Sequence, residues 1–140
     1  MSIRMDSIIS KGAGVVKGVV ARFEGKIGVF TTLSEQHAEV KVLLKRLQED
    51  PDKKAELWPE IRRSLLSHER AEMRDVYPLL LQHPETRALA EHHDEEAGDI
   101  ERLIGKIDAT EGNWQVIYDQ LVTAVIQHAE EEERNIFLAQ

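Results

Sequence analysis

Residues 65–80 read LLSHERAEMRDVYPLL, and this stretch decides the fold. As a helix it extends an apolar stripe that begins with Trp58, Ile61 and Leu65 and ends at Val76. The two stripe positions in between are His68 and Glu72. Residues spaced i, i+4 share one helix face, so an imidazole and a carboxylate stand where a core should be. Burying an unpaired carboxylate costs several kcal/mol, so something of opposite charge has to meet it.

The rest of the chain repeats the pattern. Strand-like alternation is nowhere sustained and the apolar spacing is helical. A first segment, from about Thr32 to Glu49, carries Leu33, His37, Val40, Leu44 and Leu47 on one stripe. The second runs from Lys54 or Trp58 to Val76, broken near Pro78 and ending by Gln82. The third, from about Glu85 to Asp108, aligns Leu89, His93, Ala97, Ile100, Ile104 and Ile107. The fourth starts after Asn113, a good capping residue, and aligns Ile117, Leu121, Val125, His128, Glu132 and Asn135 or Ile136. Pro51, Pro78 and Pro84 fall near boundaries, and Pro59 suits the first turn of a helix. Short links between amphipathic segments predict an all-α fold, an up-down-up-down antiparallel four-helix bundle.

Each segment thus has one histidine on its apolar stripe. His37 and His93 lie early in their segments, His68 and His128 late in theirs. With alternating helix directions all four fall near one end of the bundle, within a turn or two at about 1.5 Å rise per residue. Glu72 and Glu132 each follow a histidine by four residues. Neutral imidazoles offer few protons to two buried carboxylates, whereas a cation takes the lone pairs of both residue types. His37, His68, Glu72, His93, His128 and Glu132 are therefore the candidate metal ligands. They exceed what a tetrahedral zinc needs. The set suits two metals bridged by carboxylates, with iron favoured by the nitrogen and oxygen donors and zinc or manganese as alternatives. Of the adjacent pair His92 and His93, the latter is in step with the stripe. Glu69 is rotated about 100° from His68 and reads as solvated, with a reach to the metal from the flank as its other option. His83, in the QHPET link, reads as surface.

Composition narrows the field further. The chain has 140 residues, no cysteine and a net charge of −8. Disulfides, thiolate metal sites and cysteine nucleophiles are excluded. No apolar run approaches the ~20 residues that span a bilayer, and no signal-peptide core is present, so a cytoplasmic protein is expected. Residues 1–30 hold five Lys/Arg against two Asp/Glu, and the remainder holds 13 against 24. The acidic body argues against nucleic acid. The basic segment 1–30 is rich in glycine, yet Val16, Val19, Phe23, Ile27 and Phe30 keep helical spacing. It reads as a marginal amphipathic helix that needs a surface to dock on, its own bundle or a second copy, with a membrane surface, given its basic charge, or disorder as the alternatives. The expected domains are that segment and a bundle over residues 31–140.

Four motifs in this order, LSEQHAEV, HERAEMRDVYP, EHHDEE and HAEEE, resemble the hemerythrin-like family of HHE cation-binding domains over about residues 30–140. The resemblance implies a four-helix bundle holding a non-haem di-iron centre, bridged by oxo or hydroxo, whose members carry O₂, sense O₂ or iron, or act under redox and nitrosative stress. His37, His68, Glu72 as a bridge, and His93 match the family pattern. Oxygen carriers have a second histidine four residues after the first on the third helix, and here that position is Ala97. Their last helix has His-x-x-x-x-Asp, where this chain has His128-x-x-x-Glu132 with Glu133 one further on. One branch uses a carboxylate directly after the second-helix histidine, here Glu69. The missing histidine implies an open position and more reactive iron, with O₂, NO or peroxide as the small ligand of a sensing or stress-response protein. An oxidase or peroxidase-like role, iron handling and reversible O₂ binding are the alternatives. Ferritin-type storage is disfavoured because its Glu-x-x-His motif is absent: Ser34, Leu65, Leu80, Leu89, Ala90 and Val125 stand three residues before the histidines.

Overall fold

The computed structural model describes residues 27–137, all-helical with no strand among them. The expectations for residues 1–26 lie outside the described residues. Helix α1 spans Ile27–Glu49, and a 3₁₀ turn at Pro51–Lys53 leads into α2, Lys54–Asp75. A short α3, Tyr77–Leu81, precedes α4, Pro84–Ala109. Helix α5 spans Trp114–Glu132 and continues into a π-helical turn, Glu133–Phe137.

The elements differ from the sequence reading at three instructive places. Helix α1 already includes Ile27, ahead of the expected start near Thr32. Pro59 lies inside α2, not in its first turn. It withholds a hydrogen bond from the carbonyl four residues earlier, that of the exposed Ala55, which water can reach. Asn113 does stand at the start of α5, but without a side-chain capping bond. It contributes by adopting the left-handed conformation, φ 51°, which asparagine tolerates better than most residues.

The break between α2 and α3 was legible. The ring of Pro78 clashes with a helical carbonyl four residues back and disfavours the helical region just before it. The chain bends at Val76, whose φ is −112°, while the Val76 N–H still donates to the Glu72 carbonyl at 2.9 Å. That bend turns both Val76 and Tyr77 inward, where both are buried.

Packing divides the molecule into two halves. In one, the end of α1 meets the start of α5: the Tyr118 hydroxyl donates to the Leu44 carbonyl at 2.8 Å. The start of α2 meets the end of α4: Trp58 Nε1 donates to Asp108 Oδ1 at 2.8 Å, and Arg62 Nε to Oδ2 at 2.8 Å. Between these contacts lies a continuous apolar core that includes Leu44, Leu47, Ile61, Ile104, Ile107 and Leu121. Each such side chain stabilises the fold by about 1.5–3 kcal/mol through burial. Trp58 and Tyr118 meet edge to face at 6.2 Å. In the other half the stripes turn polar, as the next section describes. The predicted stripe residues among those described are buried nearly throughout; Leu65, His68 and Ile117 are only partly covered.

Candidate metal centre

The polar half brings all six sequence-predicted residues together in two groups of donor atoms. His37, His68, Glu72 and Glu132 form one, and His93 and His128 join Glu96 in the other. Each side chain arrives on a helix whose adjoining turns are anchored by the core. His37 stands one turn from Val40, His93 one turn from Leu89 and Ala97, and His128 one turn from Val125. His93 and Glu132 are fully buried.

In the first group His37 Nε2 and His68 Nε2 are 2.9 Å apart. Glu72 Oε1 lies 2.5 Å from His68 Nε2, and Glu132 Oε1 lies 3.3 Å from His37 Nε2. The far sides of both rings are also engaged. His37 Nδ1 faces Glu133 Oε1 at 3.2 Å, and His68 Nδ1 faces Gln36 Oε1 at 2.8 Å. Both partners are acceptors, so each ring places its N–H outward and turns its Nε2 lone pair inward. Two imine nitrogens and two carboxylate oxygens then converge with no hydrogen between them. That arrangement repels itself unless a cation occupies its centre. The residues therefore fit a metal ion, and outward carboxylate and amide acceptors that fix the ring tautomer are the usual companions of metal-binding histidines.

Protonation of His37 or Glu72 does not relieve the repulsion. Burial, then the neighbouring His68, lowers the pKa of His37 to about 4, with Glu133 pulling the other way. Burial tends to raise the Glu72 carboxyl, but the neighbouring rings of His68 and His128 outweigh it and leave it below the ordinary value. Glu72 Oε2 and Glu132 Oε1 are buried without hydrogen-bond partners.

In the second group Glu96 Oε1 lies 3.0 Å from His128 Nδ1 and 3.2 Å from His93 Nδ1, and the two ring nitrogens are 3.3 Å apart. Burial lowers the pKa of His93. Burial acts to raise Glu96, and the hydrogen bonds from His128 and His93 outweigh it, holding the carboxyl well below the ordinary range. His93 Nε2 is buried with no partner. His128 joins the two groups: its Nε2 lies 3.6 Å from Glu132 Oε1. The Tyr77 hydroxyl donates to Glu132 Oε2 at 2.9 Å and also lies 3.4 Å from His128 Nε2. Burial and the nearby Glu72 push the Tyr77 phenol far up, so it keeps its proton.

Four residues at the site were not among the sequence candidates. Glu96, one residue before Ala97, is the first of them. Its signal was the spacing of three from His93, but the position reads as polar flank until α5 is seen beside it. Tyr77 was visible in the Tyr-Pro motif, though not as a site residue. Gln36 and Glu133 adjoin His37 and Glu132 in sequence and carried no periodic signal. Glu69 stands outside both groups. It pairs instead with Glu101, and burial together with that neighbour raises its pKa to about 7. His83 is also outside the groups, half-buried in the link before α4.

Beside the first group lies a cavity of about 40 Å³. Gln36, His37, Lys41, His68, Glu69, Glu72, Tyr77 and His128 are its polar lining; Val40, Leu65, Ala97, Ile100, Val125 and Ala129 line the rest. A single water needs about 10–15 Å³ on this measure, so a diatomic or triatomic molecule has room. Ala97 provides part of that room, since a larger side chain there would enter the cavity.

No helix among the described residues is long and apolar enough to cross a membrane. Neither the curated proteins nor the solved structures include a match to this chain. The family model described as hemerythrin HHE cation binding domain matches residues 29–139, which takes in all four long helices and both donor groups. The chain belongs to the hemerythrin HHE cation-binding domain family.

Proposed function

We propose that this chain is a non-haem di-iron protein that senses O₂ or NO, or responds to redox stress, through an open coordination position. In this reading residues 31–140 form an up-down-up-down antiparallel four-helix bundle, and residues 1–30 are an appended segment through which copies or partners associate. His37, His68, Glu72 and Glu132 hold one ion. His93 and His128 hold the other, helped by Glu96. Glu132, 3.6 Å from His128 Nε2, would be shared between the two groups, and the family resemblance would make Glu72 the second shared carboxylate. The observation that carries the reading is the orientation of the first-group rings: their Nδ1 atoms face Glu133 and Gln36, and their Nε2 atoms face carboxylates at 2.5 Å and 3.3 Å. The absence of cysteine and the nitrogen and oxygen donor set favour iron over softer ions.

Iron supplies a redox-active centre with affinity for O₂ and NO. The chain's own residues shape access to it. The apolar wall of Val40, Leu65, Ala97, Ile100 and Val125 suits a small uncharged molecule, while Gln36, Lys41 and Glu69 also line the cavity. Tyr77 holds a proton 2.9 Å from Glu132 Oε2, within reach of any small ligand bound in the cavity. Gln36 and Glu133 fix the rings of His68 and His37. Ala97 itself offers no ligand and opens the cavity beside His37, His68 and Glu72, so the open position in this reading faces that cavity, while Glu96 is the added ligand from α4; such an opening favours oxidation of the centre over reversible O₂ holding.

The test is controlled exposure to air. The full chain is loaded with ferrous iron without O₂, its iron is quantified, and air is admitted while the optical spectrum is followed. Rapid oxidation that only a reductant reverses is expected, and Ala97→His should slow it. A reduced protein whose spectrum changes in air and returns under argon would overturn the sensing reading in favour of O₂ carriage or storage. Sustained turnover of peroxide or of an added reductant would favour the oxidase or peroxidase-like alternative.

A further inference from the structure

Two doublets in the sequence are used only by half in the centre described above. His92-His93 on α4 contributes His93, and Glu131-Glu132 on α5 contributes Glu132. Adjacent helical residues are rotated by about 100°, so the unused members point to the flank of the centre, where α4 and α5 lie side by side. There they meet. His92 Nε2 lies 3.4 Å from Glu131 Oε2 and 3.5 Å from Glu96 Oε2. Glu131 is 7% exposed, and its Oε2 and His92 Nε2 are both buried without a hydrogen-bond partner. Gln127 holds the other Glu131 oxygen at 3.5 Å. The two oxygens of Glu96 face opposite ways: Oε1 towards His93 and His128, Oε2 towards His92.

We propose that His92, Glu131 and the outer oxygen of Glu96 form a third cation site, for a divalent transition metal ion, on the flank of the di-iron centre. Two carboxylates and one imidazole suit such an ion. Buried carboxylate oxygens without donors are costly on their own, and an ion removes that cost. His92 and Glu96 are only partly buried, so the site is reachable from solvent. Three protein ligands leave positions for water, and binding is weaker here than at the inner centre. Glu96 then spans two cations, one through each oxygen. The proposal rests on the reading of Glu96 as an inner ligand, and the experiment separates the two claims.

The iron-loaded full chain is dialysed to equilibrium against a series of Co²⁺ concentrations, and iron and cobalt are counted separately. One saturable Co²⁺ per chain is expected. His92→Ala and Glu131→Gln should each weaken it at least about tenfold with the iron count unchanged. Glu131→Gln keeps the shape of the side chain, so it reads the site even if His92→Ala perturbs the fold. No saturable Co²⁺ in the unaltered protein, or binding in Glu131→Gln as tight as in the unaltered protein, would overturn the proposal. So would loss of iron in Glu131→Gln, which would make Glu131 part of the inner centre. A chain that holds no iron contradicts the di-iron reading, while the dependence of Co²⁺ on Glu131 still tests this site.

Discussion

The two ends of the same four long helices solve opposite problems. At one end Leu44, Ile61, Ile104 and Leu121 fill the core, and its polar atoms have partners: the Tyr118 hydroxyl on Leu44, the Trp58 indole on Asp108. At the other end the same stripes present His37, Glu72, His93 and Glu132, and Glu72 Oε2, His93 Nε2 and Glu132 Oε1 are buried without partners. The apolar end is complete as protein. The polar end is complete only with cations. One half therefore provides stability that holds a site the other half would not form alone, and the helices transmit that rigidity to the ligands within two or three turns.

The largest effect expected from this division is that of metal removal. Binding to the folded chain alone stabilises it by about 4 kcal/mol at a free metal concentration a thousandfold above Kd. Chelation should therefore lower the thermal midpoint sharply. In the chelated protein the pair of substitutions His68→Leu and Glu72→Met should be neutral or stabilising, because apolar residues replace polar groups that lack a cation, while the response to metal disappears. A chelated protein as stable as the loaded one would show that the polar half needs no cation.

The apolar half should behave in the converse way. Leu44→Ala or Ile104→Ala creates a core cavity and should destabilise by about 3 kcal/mol. The metal count of the folded protein should not change. Loss of metal at full folding would mean that the two halves are not separable, and denaturant unfolding with and without metal distinguishes these outcomes.

Acid should weaken the metal-free protein from the polar end. The pKa of His37 falls from 6.5 to about 4 on folding. Between those values the unfolded chain binds a proton that the folded chain does not, so stability falls as pH is lowered through that window. The full effect is at most about 3 kcal/mol. Glu69 acts in the opposite sense: its pKa rises to about 7, so it favours the folded chain as pH falls from that value. It is only half-buried, which reduces its weight. Stability measured in Glu69→Gln should thus fall more steeply between pH 6.5 and pH 4 than in the unaltered protein. A flat profile in that variant would contradict a neutral, buried His37. With metal bound the loss is steeper still, since several imidazoles take up protons as the ions leave.

The smallest effect expected is that of Tyr77→Phe. It removes the hydrogen bond to Glu132 and should destabilise by about 1 kcal/mol. The metal count should stay the same, with a changed rate of oxidation in air. An unchanged rate would remove Tyr77 from the chemistry and leave it a packing residue.

How far the sequence reveals this site depends on which signals are periodic. His37, His68, Glu72, His93, His128 and Glu132 stand in step with buried leucines and isoleucines, so their inward direction follows from spacing alone. Glu96 stands off that stripe; its contact with His93 on the same helix is a spacing of three, but its approach to His128 on α5 is a tertiary fact no single segment contains. Tyr77 follows the bend at Val76, which resets the rotation of the helix and defeats extrapolation of the stripe. Asn113 shows the same limit at smaller scale: its place at a helix start was legible, its left-handed backbone in place of a side-chain cap was not. The unused halves of the doublets His92-His93 and Glu131-Glu132 were visible as residues but had no assigned partner until α4 and α5 were seen together.

The central claim is that the polar half holds two cations, and metal quantification tests it most directly. The full chain is loaded with ferrous iron without O₂, freed of excess metal and analysed for iron and protein. About two iron ions per chain are predicted, falling below one in Glu72→Ala and Glu132→Ala. A single ion per chain, or full occupancy in either variant, would contradict it.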